Sequence, residues 1–363
     1  MYVFIKNFKN KFYFIPKFFY FCKVFWPTKK KIRPYFGFYI KNSGGPNIRT
    51  RRMINFFGNF FVNPNLIYAQ SFWSTTELKD AIKYSKKNKI PIIFNQNGVY
   101  YKGWHKDNYR KKNMVVSHVQ KVSKFIFYQS NFCKKSSFIF NKYKPKNYKI
   151  LHNAIPFKKN LKNNDKNKPR LFNILISGYF NKQNLYILKP AINVIYKMYK
   201  KMKKSPRLVI VGLKKNQLKK FYKKKINFLI DKNKIEIIKN YKIKKISYVL
   251  KNIHLALHLK YKDPCPNSVL ERMHYGIPHV ISQSGGTPEL TGNSSINIKV
   301  EDTWKSLIQV DERKLYAAII LAIKKYLILK KNTYKQIRRF KWNNYISEHK
   351  KIFSKYTNKA LVV

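Results

Sequence analysis

Residues able to do chemistry are concentrated in one segment of the chain. Only 14 of the 363 residues are Asp or Glu, and five of these lie between positions 263 and 302, beginning with Asp263 and Glu271. The spacing of these two carboxylates carries little weight alone, because roughly half a pair eight residues apart is expected by chance at this composition. The residues around the pair make it informative.

A strand, a turn and a helix are predicted around Asp263. The strand His254–Leu257 ends shortly before this residue. Pro266 then fixes the backbone, and Asn267 or Ser268 is expected to cap a helix. The free N–H groups at the start of that helix therefore lie at the carboxyl end of a sheet, where they can hold a phosphate.

A second turn of the same character follows the next predicted strand. Its sequence is Ser-Gly-Gly-Thr-Pro-Glu, and it contains Gly285, Gly286 and Thr287. Two such turns side by side suit a ligand that carries a diphosphate. Glu289, which ends this turn, is interpreted either as part of the site or as a residue that favours the start of its own helix.

The elements that must position these residues form two series of alternating strands and helices. The first series has strands at Tyr35–Ile40, Asn65–Ala69, Ile90–Phe94, Phe125–Tyr128 and Lys149–Leu151. The second has strands at Leu171–Ser177, Leu208–Val211, Ile235–Ile238, His254–Leu257, His279–Ser282 and Ile296–Val300. Strands separated by helices indicate parallel sheets, so the predicted fold class is α/β, with two Rossmann-like, doubly wound domains that face a cleft.

The charge of the chain is dominated by lysine. The formal net charge is +64 at pH 7, and 67 Lys accompany only 11 Arg. The abundance of Lys, Asn, Ile, Phe and Tyr indicates an A/T-rich coding sequence, although this bias does not explain the shortage of acids, so an anionic partner stays open. Lysines are spread along the whole chain and arginine is scarce, so specific recognition of nucleic acid is not expected.

The first 34 residues form a basic, aromatic extension. Such a mixture favours attachment to the headgroups of an anionic membrane, and a poorly ordered extension or an extra strand is the equal alternative. The extension does not read as a secretory signal, and no stretch of 18 uncharged apolar residues is present. Cys22, Cys133 and Cys265 are too few and too far apart for a disulfide framework or a metal site. We therefore expect a cytoplasmic protein, and peripheral attachment to the inner face of the membrane stays open.

The segment from Asp263 to Leu290 closely resembles the donor site of the family-4 (group 1) retaining glycosyltransferases, which have the GT-B fold. The similarity lies in Asp263 and Glu271, in Gly-Ile-Pro at 276–278 and in Gly-Gly-Thr-Pro-Glu-Leu at 285–290. Gly-Gly-Pro at 44–46, the strand and turn at 90–98 and the closing helix at 342–353 are also similar. The resemblance covers roughly residues 35–355.

This resemblance implies transfer of a hexose from a nucleotide-diphosphate sugar to an acceptor hydroxyl, on a glycan or a lipid-linked acceptor, with retention of configuration. Glu271 would bind the ribose hydroxyls, and Asp263 would stabilise an oxocarbenium-like transition state. The implied donor-binding residues are Gly44, Gly45, Asn97, Gly178, Lys182, Asn267, Ser268, Gly285, Gly286 and Thr287, with the N–H groups of Asn267, Ser268 and Gly286 around the diphosphate. Neither a metal nor a cofactor is expected, because lysines and helix N-termini neutralise the leaving diphosphate.

The predicted domain boundaries follow from the same pattern. They are the extension 1–34, an acceptor-side domain 35–157, a linker 158–170, a nucleotide-sugar domain 171–330 and a helical tail 331–363 that packs back on the first domain.

Four positions depart from the family pattern. Asp263 stands in place of the usual glutamate, and Pro266 replaces a glycine. Tyr179 occupies the arginine position of the phosphate clamp, with Lys182 as a substitute nearby. Asn97 stands where many members have histidine, and an amide can hydrogen-bond a sugar hydroxyl but cannot shuttle a proton. The alternative function is therefore a catalytically degenerate GT-B scaffold that binds anionic partners.

Overall fold

Two parallel β-sheets, each covered by helices, make up the described part of the chain. The computed structural model describes residues 31–38, 44–105, 108–156, 167–178, 180, 183–213, 224–238 and 243–357. The predicted α/β fold with two Rossmann-like domains is confirmed. Most of the basic extension and most of the predicted linker lie outside the described residues.

In the described part of the chain, the first sheet has five parallel strands in the order of the sequence. They are β1 (Pro34–Tyr35), β2 (Leu66–Gln70), β3 (Ile92–Gln96), β4 (Phe125–Tyr128) and β5 (Tyr148–Ile150). The helices of this domain are α1 (Gly45–Phe57), α2 (Thr75–Asn88), the single turn α3 (Lys102–His105), α4 (Tyr109–Val122) and α5 (Asn131–Asn141). Every residue of β2, β3 and β4 is buried, as is typical of central parallel strands covered on both faces.

The second sheet has six parallel strands among the residues that the structure describes. They are β6 (Asn173–Ser177), β7 (Arg207–Val211), β8 (Ile235–Ile238), β9 (Leu255–His258), β10 (His279–Ser282) and β11 (Ser295–Ile298). The accompanying helices are α6 (Leu188–Lys201), α7 (224–231), α8 (Ile243–Lys251), α9 (Asn267–His274), α10 (Thr287–Thr291) and α11 (Glu312–Lys324). The strand order is β8-β7-β6-β9-β10-β11, so it reverses between β6 and β9. In open α/β sheets, ligands bind outside the carboxyl ends of the strands at such a reversal.

The end of the chain returns to the first domain. After α12 (Tyr326–Ile337), which packs on α9, helix α13 (Trp342–Thr357) lies against the first sheet. Its Tyr345, Ile346 and Phe353 share one buried cluster with Phe36 and Tyr68 of the first domain. The last helix therefore covers one face of the first sheet.

Among the helices that the structure describes, none combines the length and the apolar character needed to cross a membrane.

Candidate functional site

The predicted site residues surround the point at which the strand order of the second sheet reverses. Strand β6 ends at Ser177 and continues into Gly178, where a Cβ atom would meet no atom of the described residues within 4 Å. Strand β9 ends at His258, and its loop leads to Asp263 at the same edge of the sheet. Tyr179 and Lys182 lie outside the described residues, so the predicted role of Lys182 stays a prediction.

Two basic side chains hold the carboxylate of Asp263. Its Oδ2 lies 3.2 Å from Nζ of Lys260 and 3.4 Å from Nε2 of His258, and its side chain is only 13% exposed. Burial alone would raise the pKa of this carboxyl, but Lys260 and His258 outweigh burial and hold the pKa well below its usual range. Burial also lowers the pKa of His258, so Lys260 supplies the positive charge at neutral pH. Asp263 is therefore an anion throughout the physiological pH range.

The second glycine turn packs directly against the Asp263 loop. The N–H of Gly286 donates to the main-chain oxygen of Asp263 at 2.9 Å. Gly285 has a φ of +70°, and a Cβ there would lie 2.7 Å from the main-chain nitrogen of Asp263, while a Cβ at Gly286 would overlap the carbonyl oxygen of Pro264. Only glycine fits these positions without displacing the loop. A diphosphate could use the Gly286 N–H only by displacing this hydrogen bond, so that role stays a prediction.

Helix α9 begins at Asn267 and has Pro266 as its N-cap residue, with no side-chain cap. The prediction that Asn267 or Ser268 caps this helix is therefore wrong. The side chain of Asn267 instead crosses to the first domain, where its Nδ2 donates to the carbonyl oxygen of Gly45 at 3.0 Å. Gly45 is the first residue of α1, so the N-termini of α1 and α9 lie side by side. Both ends carry N–H groups without partners in their own helix, and their dipoles favour an anion between them.

Glu271 lies one turn into α9 and is paired with the first domain. Its Oε1 is 3.3 Å from Nη2 of Arg52, a residue of α1. The carboxylate is 38% exposed and the arginine 23%, so the pair sits at the edge of the gap between the domains. The neighbouring Arg272 points to the sheet, and its Nη2 donates to the main-chain oxygen of Ser177 at 3.3 Å. These contacts fix α9 between β6 and α1.

Asn97, which follows β3, faces a buried cation. Its Oδ1 accepts a hydrogen bond from Nη2 of Arg49 at 3.1 Å. The same guanidinium donates to Gln70 at 2.6 Å and to Asn153 at 2.9 Å. Arg49 is only 1% exposed, and these three partners are neutral amides. The amide of Asn97 is therefore anchored by Arg49.

Asn153 extends this hydrogen-bond network from Arg49 to the second domain. Its Nδ2 donates to the main-chain oxygen of Cys265 at 2.8 Å, and its N–H donates to Sγ of the same residue at 3.3 Å. Burial raises the pKa of the Cys265 thiol, which is therefore neutral and fills space in the loop. Arg49 is thus separated from the loop that contains Asp263 by a single side chain.

A further contact between the domains involves Trp304, in the loop after β11. Nζ of Lys262 lies 3.8 Å from the centroid of the Trp304 ring, and Lys262 also pairs with Asp302. The indole also stacks on Phe132 of the first domain at 5.8 Å and meets the edge of Tyr101 at 5.2 Å. This loop therefore joins the Asp263 side of the cleft to the first domain.

The structure brings together Asp263, Glu271, Asn267 and Gly45, and it packs Gly285 and Gly286 against the same loop. Two groups of residues at the site were not predicted. The first is Lys260 and His258, the partners of Asp263, which carry no signal in the sequence. The second is Arg49 and Arg52 on α1. The sequence does carry a signal for these two, because three of its 11 arginines fall at positions 49, 51 and 52. In a chain whose composition favours lysine, an arginine cluster is informative.

The described residues contain no group of three or more His, Cys, Asp or Glu side chains that could hold a metal ion.

Comparison with known families and structures agrees with this geometry. The family described as "Glycosyl transferases group 1" matches residues 147–337, a little more than half of the chain. No curated protein matches the sequence.

Several solved structures are similar in fold. Alr3699/HepE from Anabaena, in complex with UDP, superposes with a TM-score of 0.61 at 14% sequence identity, over 80% of this chain and 79% of that chain. The same protein has also been solved in complex with UDP-glucose. Sucrose-phosphate synthase from Thermosynechococcus elongatus gives a TM-score of 0.60 at 10% identity over 85% of this chain and 77% of that one. A trehalose-6-phosphate synthase, studied for glycosyltransfer with retention, gives 0.60 at 9% identity over 86% of this chain and 80% of that one.

Proposed function

Since the chain belongs to the family Glycosyl transferases group 1, we propose that it transfers a hexose from a nucleotide-diphosphate sugar to an acceptor hydroxyl with retention of configuration. The observation that carries this proposal is the meeting of two helix N-termini, at Gly45 and Asn267, beside the ionised Asp263. The UDP and UDP-glucose bound by HepE support the donor class, and the retention described for the trehalose-6-phosphate synthase supports the stereochemistry.

In this proposal the diphosphate lies at the adjoining ends of α1 and α9. The N–H groups of Asn267 and Ser268 face it, and Gly44, with a φ of +93°, lets the backbone of the first domain approach. Glu271 binds the ribose. The remaining proposed donor-binding residues are Gly178, Lys182, Gly285, Gly286 and Thr287. The helix dipoles and basic side chains stabilise the leaving diphosphate, so the proposed reaction needs neither a metal nor a cofactor.

Asp263 acts in this proposal as a fixed negative charge near the anomeric carbon. The transition state of glycosyl transfer carries positive charge on the sugar ring, and a carboxylate in a largely buried site stabilises that charge more strongly than water does. Lys260 and His258 keep Asp263 ionised, and the amide of Asn97 cannot act as a general acid or base. The acceptor proton is therefore assigned to the leaving phosphate, which is a base formed in the reaction itself.

For the acceptor, we propose a glycan or lipid-linked hydroxyl at an anionic membrane surface, on the cytoplasmic side. Residues 108–156 of the first domain contain 11 Lys and Arg and no Asp or Glu. Met114 on α4 and Ile139 on α5 are 72% and 59% exposed among these basic residues. Basic residues around exposed apolar side chains suit peripheral attachment to anionic lipid.

A donor screen tests the proposed reaction. The full chain is incubated with UDP-, GDP- and ADP-sugars, the released nucleotide and the transferred hexose are detected by mass spectrometry, and the anomeric configuration of the product is read by NMR. Asp263→Ala and Glu271→Ala should each abolish transfer while the circular dichroism spectrum is unchanged. Glu301→Ala, at an exposed acid of the same domain, is the matched control and should retain full activity.

Two outcomes would contradict the proposal. Unchanged turnover in both the Asp263 and the Glu271 variants would remove these residues from the reaction. Absence of both binding and turnover for every donor would instead favour the degenerate scaffold that binds anionic partners.

A further inference from the structure

Arg52 has hydrogen-bonding capacity that its salt bridge does not use. Its Nη2 lies 3.3 Å from Oε1 of Glu271, but its Nη1 is buried and has no hydrogen-bond partner among the described residues. A guanidinium presents five N–H donors in a fixed plane, and a buried donor without an acceptor is costly. The position of Arg52 therefore suits an additional acceptor.

The starts of α1 and α9 are within reach of this guanidinium. Asn267 lies four residues before Glu271, a distance of about 6 Å along the helix axis. Helical side chains also lean toward the N-terminus of their own helix, which brings both Arg52 and Glu271 toward the gap between the helix starts. A guanidinium that leaves Glu271 needs to move by about one helical turn to face an anion there.

A second arginine on α1 adds to the positive charge of this region. Arg49 lies one turn before Arg52, on the same face of the helix. Its Nε is buried and has no hydrogen-bond partner, and none of the carboxylates in the described residues forms an ion pair with it. Helix α1 thus carries two cations on one face, of which only Arg52 is balanced by a carboxylate, Glu271. An excess of positive charge at two helix N-termini favours a polyanion.

We propose that Arg52 is a donor-binding residue that exchanges partners, from Glu271 in the free protein to the diphosphate in the complex. This inference rests on the proposed function, in which Glu271 binds the ribose. The ribose hydroxyls take the place of the guanidinium on Glu271, and Arg52 then binds the phosphate oxygens. A nucleoside has no phosphate, so it breaks the salt bridge between Arg52 and Glu271 without giving Arg52 a new hydrogen-bond acceptor. Arg52 therefore makes the site select nucleoside diphosphates over nucleosides.

Ligand binding to the full chain tests this exchange. UDP, GDP and ADP, and the three corresponding nucleosides, are titrated by calorimetry and by ligand-observed NMR. Arg52→Ala should weaken binding of the preferred diphosphate by about tenfold to a hundredfold, the cost of a charge-assisted contact. The same variant should bind the corresponding nucleoside as tightly as the unsubstituted chain or more tightly, because Glu271 is no longer occupied. Arg52→Lys should recover part of the diphosphate affinity.

Two further comparisons separate this role from a structural one. Arg51→Ala, which removes an exposed arginine from the same helix, should leave both affinities unchanged. In a Glu271→Gln background, Arg52→Ala should still weaken diphosphate binding, because the contact is with phosphate. Equal losses for diphosphate and nucleoside, or no loss for either, would overturn the exchange while leaving the proposed function intact. Failure of the unsubstituted chain to bind any of the three diphosphates would overturn both.

Discussion

The carboxylate of Glu289 accepts the main-chain N–H of Phe132 at 2.8 Å, so an acid of the second domain caps a helix of the first. The same carboxylate accepts the N–H of Asn131 at 2.8 Å and lies 3.2 Å from Nε2 of His152. Glu289 is thus more than a residue at the start of its own short helix. It fixes the start of α5 against the second domain.

Loss of this cap should destabilise the chain. Glu289→Ala should lower the free energy of unfolding by about 0.5–2 kcal/mol, the usual cost of removing an N-cap acceptor. Urea unfolding followed by circular dichroism measures the change. Glu301→Ala, at an exposed acid, is the control, and equal stabilities of the two variants would contradict a capping role.

The cap also predicts a pH dependence. Burial tends to raise the pKa of Glu289, but His152 and the N–H groups of α5 outweigh it and lower the pKa below its ordinary value of 4.5. The charged form therefore stabilises the fold above pH 4.5, and this stabilisation is lost as the pH falls through the lower, folded-state pKa. The melting temperature of the unsubstituted chain should fall more steeply below pH 4.5 than that of Glu289→Ala. Parallel curves would exclude this linkage.

Transfer activity should depend on the charge of Asp263. Asp263→Asn should reduce kcat by about 10²–10³-fold, because the amide leaves the positive transition state unbalanced. Lys260→Met should move the acid limb of the kcat/KM profile to higher pH, since it removes the cation that lowers the pKa of Asp263. Lys251→Met, at an exposed lysine of the same domain, should leave the profile in place. An unshifted acid limb in Lys260→Met would separate the ion pair from catalysis.

The buried arginine network should be a large contributor to stability. Arg49→Met removes one hydrogen-bond donor from each of the oxygens of Gln70, Asn97 and Asn153, and we expect a loss of about 2–4 kcal/mol in the free energy of unfolding. Arg51→Met, on the exposed side of the same helix, should change it by less than about 0.5 kcal/mol. Chemical denaturation of both variants measures the free energy of unfolding. An Arg49→Met variant as stable as the unsubstituted chain would contradict a stabilising role of this hydrogen-bond network.

Trp304 should help to hold the two domains together. Trp304→Ala removes the stack on Phe132, the edge contact with Tyr101 and the cation–π contact with Lys262, together about 1–3 kcal/mol. We expect a larger radius of gyration by small-angle X-ray scattering and a higher KM for the donor. Trp304→Phe keeps an aromatic ring. Its radius of gyration and its KM should lie between those of the unsubstituted chain and those of Trp304→Ala. Scattering curves that superpose for all three chains would count against this contact.

Attachment to membranes should depend on anionic lipid. The full chain should co-sediment with vesicles that contain phosphatidylglycerol and not with pure phosphatidylcholine, and rising salt should release it. Met114→Glu should weaken this binding, whereas Leu327→Glu, at an exposed apolar position near the C-terminus, should not. Equal binding to neutral and anionic vesicles would rule out the electrostatic mechanism.

The sequence pattern predicts the strands well where the chain is apolar and less well where it is polar. Phe125–Tyr128 and Ile235–Ile238 agree with the structure residue for residue. Strand β3 was predicted at Ile90–Phe94 but runs from Ile92 to Gln96. It continues through Asn95 and Gln96 because buried hydrogen bonds satisfy these amides, and an apolar pattern cannot show such partners.

The contacts between the domains could not be predicted from the sequence. Asp263 and Glu271 were identified from the turns and the helix around them, which are local features. Arg52 and Glu271 are 219 residues apart, and their pairing depends on how two separately folded sheets face each other. The spacing of residues along the chain carries no information on that orientation.

The return of α13 to the first sheet has a consequence for the synthesis of the protein. The sheet face that contains Phe36, Tyr68 and Phe127 is covered by residues 342–357, which leave the ribosome only after the whole second domain. Domains commonly fold in the order in which they are made, but here the earlier of the two domains is completed after the later one. During translation of the whole second domain, the nascent chain therefore presents an aromatic surface, and a ribosome that stops before residue 342 releases a product prone to aggregation.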